Sequence, residues 1–265
     1  MTNNLQIDLY RLAAAYVFVI ILLFIVRRKG ISREKEIILA SFRMTVQLVL
    51  VGYLLVYIFE ANNPFYIILM TLVMEAFAVR NVIKRSKRNL SKELKKVITF
   101  SIVTSTILCL IYFLAVVLNI KPWYDPKSFI PIAGMLIGNS MTGISLGVNK
   151  LLDGMYAERN LIEGALMLGA RPKDAAKGVV DSAFDSAIIP TINSMLGMGI
   201  VFLPGMMTGQ ILSGLSPLIA TKYQIAIMLG ILGSVSLSVI LFVQLGYKTF
   251  FNDKDQFVLG LEEEK

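Results

Sequence analysis

The segment Glu163-Gly-Ala-Leu-Met-Leu-Gly169-Ala-Arg-Pro172 combines residue types at a spacing suited to transmitting work rather than to bond-making chemistry. Residues 151–168 read as a largely helical, amphipathic stretch, with Leu151, Leu152, Met155, Leu161, Ile162, Ala165, Leu166 and Leu168 at its apolar positions. Gly169 can take the left-handed conformation that ends a helix, and Pro172 suits the first turn of the next. The spacing predicts a sharp, pre-shaped corner. A corner fixed by glycine and proline passes displacement on where a floppy loop absorbs it.

Other residues could meet a cargo. Arg43 and Gln47 are four apart and share one helix face. Arg43 and Glu75 both fall in apolar runs, where ionisable groups are costly and are usually paired or functional. An Arg43–Glu75 ion pair is compatible with their depth, and it would serve either the structure or the cargo. Asn139, Asn193 and Gln210 are amides in apolar settings, suited to hydrogen bonds between helices. Met195, Met198, Met206 and Met207 lie close in sequence, and thioethers both fill irregular gaps and bind soft ions. The metal-ligand set is left open. The lone Cys109 and the absence of histidine remove the strongest transition-metal donors.

The same absence excludes whole classes of enzyme. With no histidine there is no zinc-protease motif and no Ser–His or Cys–His nucleophile pair. No Gly-x-x-x-x-Gly-Lys-Ser/Thr occurs, so the chain should bind no cofactor itself, and any ATP with its Mg belongs to another polypeptide. An aspartyl intramembrane protease would need paired Asp in the spans, and every Asp lies outside the apolar cores. A retinal protein would need a Lys in the last span, where none occurs. A seven-helix receptor, a channel and a scaffold stay open.

Of the 265 residues, 56% are hydrophobic and 17% charged, with a mean hydropathy of +0.70. Such a chain reads as an integral membrane protein, a single transmembrane domain over 1–265 set in a cell membrane. The net charge of +8 sits in short clusters between apolar runs, so it speaks for the lipid bilayer as partner and not for nucleic acid. Spans are expected at 7–26, 37–59, 64–79, 97–120, 130–148, 187–204 and 224–246. The third is short, with Glu75 and Arg80 near its inner end.

The segments 27–36, 80–96 and 149–185 and the C-terminal tail together hold 21 Lys/Arg, against Lys121, Lys127 and Lys222 on the other side. The expected fold is therefore all-α, with seven transmembrane helices, the N-terminus outside and the C-terminus inside. Its coupling elbow is cytoplasmic, within 149–185. The glycine-rich residues 205–217 are too polar for lipid and too apolar for a free loop, which predicts a short re-entrant or interfacial helix between spans six and seven. The pairs Gly134/Gly138 and Gly143/Gly147 let span five approach another helix closely, within the chain or in a second copy.

The elbow resembles the EAA loop of ABC-transporter permeases, which docks on an ATP-hydrolysing partner. Glu163, Ala165 and Gly169 match that pattern, Gly164 replaces an alanine, and Asp181-Ser182 replaces the usual Leu-Pro. Further segments resemble the FetB-type permeases, a family with a bacterial iron exporter and plant aluminium-tolerance proteins. They are Arg43-Met-Thr-Val-Gln-Leu48 with Gly52, Gly138-Asn-Ser-Met-Thr-Gly-Ile-Ser-Leu146, Ile189-Pro-Thr-Ile-Asn-Ser-Met195, Leu203-Pro-Gly-Met-Met-Thr-Gly-Gln-Ile-Leu212 and Lys222-Tyr-Gln-Ile225.

The resemblance implies a homodimeric membrane subunit working with a cytoplasmic ATP-binding subunit. In it, Glu163, Ala165, Gly169, Ala170, Arg171 and Pro172 contact the ATPase. The translocation path would draw on Arg43, Gln47, Glu75, Asn139, Asn193, Met195, Met198 and Gln210. The cargo it favours is a metal ion, iron first, with an organic solute such as a nucleotide-sugar as the alternative.

The orientation is checked by cysteine labelling from outside in a Cys109-free background. A probe at Lys127 should react and one at Arg88 should not; the reverse pattern would overturn the assigned orientation.

Overall fold

A computed structural model describes residues 8–61, 63–86 and 88–258. Lys87 and Lys265, both counted in the inner charge, lie outside the described residues. Described residues form helices and two isolated β-bridges, with no named strand. This is what a bilayer demands, because a helix satisfies its backbone polar groups within one segment.

Contacts divide the chain into two units, Met1–Ala61 and Asn62–Lys265. The N-terminal unit holds α1 (Leu9–Ala15), α2 (Val17–Arg28) and α3 (Glu34–Ala61). Its helices α2 and α3 pack together, and the hydroxyls of Tyr16 and Thr45 bond to one another.

The second unit begins with α4 (Pro64–Arg85) and α5 (Lys92–Tyr112), which runs on into a π-turn at Phe113–Val117. Next come α6 (Pro126–Ala157), α7 (Arg159–Met167), α8 (Pro172–Ala175) and α9 (Lys177–Gly197). The unit closes with α10 (Gly205–Leu212), α11 (Pro217–Gly246) and a 3-10 turn, Tyr247–Phe250. Helix starts follow local chemistry. Asn63, Ser91 and Asp125 cap α4, α5 and α6 by accepting first-turn amides, and Pro64, Pro126, Pro172 and Pro217 stand where a missing N–H costs nothing.

Among the described residues six helical stretches are long and apolar enough to cross a membrane: Tyr10–Arg28, Glu34–Ala61, Pro64–Arg85, Lys92–Val117, Pro126–Ala157 and Pro217–Phe250. The expected third span, 64–79, is corrected. Its helix continues to Arg85 because Ala78 and Val82 are buried against protein, so Glu75 lies mid-helix and not near the end. The expected sixth span, 187–204, is corrected too. The helix there is Lys177–Gly197, and the chain turns at Gly199 (φ +83°), where Met198 bridges Phe202. Lys177, Asp181 and Asp185 are on this helix, and their polarity keeps α9 out of the apolar set.

Packing centres on α6, which contacts α4, α5, α9 and α11. The second glycine pair works within the chain. A Cβ on Gly143 would lie 2.8 Å from a Val235 methyl, and one on Gly154 would lie 2.6 Å from a Val179 methyl. At Gly134 and Gly138 a Cβ would meet nothing within 4 Å. Gly233 of α11 is equally open.

Gly143→Val and Gly154→Val should each destabilise the protein by about 1–3 kcal/mol, the usual cost of overpacking. Gly233→Val should stay near the parent in thermal unfolding in detergent. Equal losses at all three positions would contradict the close α6–α9–α11 contact.

Candidate functional site: the elbow and the buried polar positions

The amphipathic stretch predicted over 151–168 is two pieces. Leu151, Leu152 and Met155 are buried on α6, which runs to Ala157. The chain then breaks at Glu158 (φ −99°, ψ 15°), and α7 starts afresh at Arg159. Ile162 is fully buried and anchors α7, while Leu161, Met167 and Leu168 are 69%, 86% and 91% exposed.

Gly169 takes φ +89°. The amide of Gly169 donates to Leu166 O (2.9 Å) and that of Ala170 to Ala165 O (3.0 Å). This pair of bonds is the Schellman closure that a left-handed residue makes available. Arg171 is extended, Pro172 opens α8, and Ala176 and Val179 return the chain to the core.

The result is a rigid corner with an apolar tip held between two ion pairs. Arg159 Nε donates to Glu163 Oε1 (2.8 Å), and Arg171 Nε donates to Asp174 Oδ2 (2.8 Å). The Asp174 carboxylate, by hydrogen bond and by charge, holds the exposed Arg171 guanidinium above its ordinary pKa. Exposed Met and Leu flanked by charge form a surface suited to burial against another protein.

Glu75 is 4% exposed, and its Oε1 accepts from the Thr106 hydroxyl on α5. Its other oxygen has no hydrogen-bond partner among the described residues. It borders a cavity of about 730 Å³ whose wall includes Thr71, Arg80, Lys84 and Thr99. Behind it, the Thr106 and Ser105 hydroxyls both donate to Ile102 O (2.8 and 3.0 Å). Ser105 bonds Ser238, and Ser140 bonds Ser234 at 2.8 Å. A polar seam thus stitches α4, α5, α6 and α11. The described hydrogen-bond partner of Glu75 is Thr106; Arg43 and Gln47 are exposed residues of the N-terminal unit.

Asn139 is exposed on α6, its amide folded back onto Met135 O (2.8 Å), and Asn193 is exposed on α9. Gln210 is half-buried on α10. Met195, Met198 and Met206 pack against the core, and Gln224 Nε2 points at Met198 Sδ (3.8 Å). Among the described residues no three His, Cys, Asp or Glu side chains are grouped to hold a metal. The sequence reading missed Asp181 and Asp185, exposed on α9 together with Asn193. Their four-residue spacing was the available signal, hidden by starting the helix at 187.

Fold and sequence define a multi-pass helical membrane protein. The chain belongs to the family described as Uncharacterised protein family (UPF0014), which it matches over residues 9–251. It is 35% identical to the UPF0014 membrane protein YjkA of Bacillus subtilis, over 94% of this chain and 98% of that one. It is 34% identical to the probable iron export permease protein FetB of Escherichia coli, over 97% of both chains. Identity to the protein ALUMINUM SENSITIVE 3 of Arabidopsis thaliana is 36%, over 90% of this chain and 86% of that one. No solved structure matches it.

The corner depends on a left-handed φ at residue 169, which a β-branched side chain resists and Asn tolerates. Gly169→Val should therefore disorder the elbow at a cost of roughly 1–2 kcal/mol, while Gly169→Asn keeps it. Proteolysis of the elbow in detergent checks this, and equal cleavage of the two variants would refute the conformational argument.

Proposed function

We propose that this chain is the membrane-spanning subunit of an ABC-type exporter, with ATP and Mg bound by a separate cytoplasmic subunit. The observation that carries the reading is the elbow: a rigid Gly169–Pro172 corner presenting Leu161, Met167 and Leu168 to solvent. Its likeness to the relative named an iron export permease supports the same role, with iron as first cargo.

Seven crossings, N-terminus outside and C-terminus inside, are supported by a contact as well as by charge. The turn after α11 packs on α8, so the end of α11 and the elbow share one side of the bundle. For α11 to arrive there by crossing, the chain must first have crossed back between α8 and α11. The 21 residues of α9 span about 31 Å at 1.5 Å per residue, enough for a hydrocarbon core. On this reading α10 is the short re-entrant or interfacial helix.

A crossing helix that carries Asp181, Asp185 and Asn193 on exposed positions needs a polar neighbour or a water-filled path. The open Gly134/Gly138 face of α6 suits the close approach of a second copy, and a homodimer is one source of such a neighbour. Glu75 is the carboxylate we assign to meeting a cation. The lack of a grouped metal-ligand set among the described residues favours a second reading, in which the metal travels as a complex or the cargo is an organic solute.

The test is co-purification with the partner ATPase and hydrolysis measured in nanodiscs. Iron should stimulate hydrolysis, and Glu75→Gln should lower metal export while keeping the complex assembled. Stimulation by a nucleotide-sugar and not by iron would remove the metal and keep the permease; failure of the ATPase to bind would remove the ABC reading.

A further inference from the structure

The residues after α11 form a compact hook. The Asn252 amide donates to Gln256 O (3.0 Å) and the Val258 amide to Phe250 O (2.8 Å), closing a hairpin over the turn at Asp255 (φ 56°). The Asn252 side-chain oxygen accepts from the amides of Lys254 (3.0 Å) and Gln256 (2.9 Å), locking that turn. Phe250 is fully buried and stacks on Phe257 at 6.4 Å, and Phe251 meets Phe257 edge-on at 5.8 Å.

Phe257 then offers a ring to the elbow. The Arg159 guanidinium lies 6.0 Å from its centroid, at the outer limit of a cation–π contact. The same side chain bonds Glu163 within α7. The 3-10 turn of the hook also packs on α8. One line of contacts therefore runs from the end of α11 through Phe257 and Arg159 to Glu163.

We propose that this hook is a second link of the coupling apparatus, tying the elbow directly to α11, with Arg159 as a positioning residue that acts through Phe257. The inference rests on the elbow's assignment as the ATPase-docking element. The mechanical reason lies in the ends of α7. This nine-residue helix joins α6 through the non-helical Glu158 and joins α8 through the Gly169 corner. Held by those two joints, by buried Ile162 and by partly buried Leu166, it would pivot about these anchors when pushed at Met167 and Leu168. A further tether on its first turn converts pivoting into displacement of the bundle. The tether reaches α11, which packs on α5, α6 and α9, so a push at the tip reaches three further helices at once.

Phe257→Leu keeps an apolar body and removes the ring face, and Phe257→Tyr keeps the face. In the chain alone, in nanodiscs without an ATPase, Phe257→Leu should raise hydrogen exchange across α7 by about two- to fivefold over the wild type, the size of an exposed cation–π contact. Phe257→Tyr should restore protection. In the complex with its ATPase, Phe257→Leu should leave co-purification unchanged and lower cargo exported per ATP hydrolysed about twofold or more. Unchanged α7 exchange in Phe257→Leu overturns the tether. Increased exchange with unchanged export per ATP overturns its part in coupling. Failure of the wild-type chain to bind any ATPase sinks the exporter reading instead, and the exchange measurement still decides the tether.

Discussion

Close approach between α6, α9 and α11 is the constraint on which the second unit depends. In lipid there is little hydrophobic gain from pressing helices together, since the tails are as apolar as the side chains. Association must come from contact at short range, and Gly143, Gly147 and Gly154 make that contact. A Cβ at Gly147 would sit 3.5 Å from Ala187 and 3.8 Å from the Phe242 ring, so one glycine row serves both neighbours of α6. At the far end of α11, Gly246 performs the reciprocal service, its backbone facing Leu151 of α6 and the Phe242 ring of its own helix.

This arrangement decides what the elbow can move. α6 delivers the chain to α7 and α9 takes it away from α8, and the two are locked side by side through Val179 against Gly154 and Ala187 against Gly147. A displacement applied between them therefore cannot separate them without opening close-packed contacts. It must carry both. Beyond them the buried hydroxyls set the register: Ser140–Ser234 fixes α6 on α11, and Ser105–Ser238 fixes α5 on the next turn of the same helix. Each of these hydroxyls is answered by another polar group, which is what a low-dielectric interior requires.

The corner itself was legible in the sequence because its causes are local. A left-handed φ selects glycine, a fixed φ with no N–H selects proline, and Gly169 and Pro172 meet those demands without help from the rest of the chain. The positions of Gly143 and Gly147 were legible as a spacing, but their side of contact was not, since the same spacing serves a neighbour within the chain or a second copy. Helix ends were misread at α4 and α9 for a tertiary reason. Hydropathy falls at Arg80 and Asp185, yet Val82 and Val179 are buried against protein and carry the helices past those charges. Thr106 as the partner of Glu75, 31 residues away, has no local signal at all. Nor does Phe257, whose partner Arg159 lies nearly a hundred residues earlier; three Phe bracketing the Asn252–Asp255 turn were the faint trace it left.

Polarity, which hid α9 from a hydropathy criterion, is also what distinguishes its work from that of its neighbours. The apolar helices can face lipid on any side, and their exposed Leu, Ile, Val and Phe do so at no cost. α9 cannot, because Asp181, Asp185 and Asn193 on its exposed positions would each lose hydration there. Its inner face is fixed by Val179, Val180, Ala183 and Ala187 against α6 and α11, so it has no freedom to turn those groups inward. A helix constrained on one side by packing and barred from lipid on the other has to border water or a second polar surface. The elbow leads straight into that helix, only four residues separating Pro172 from Lys177, so whatever moves the corner moves the polar face with it.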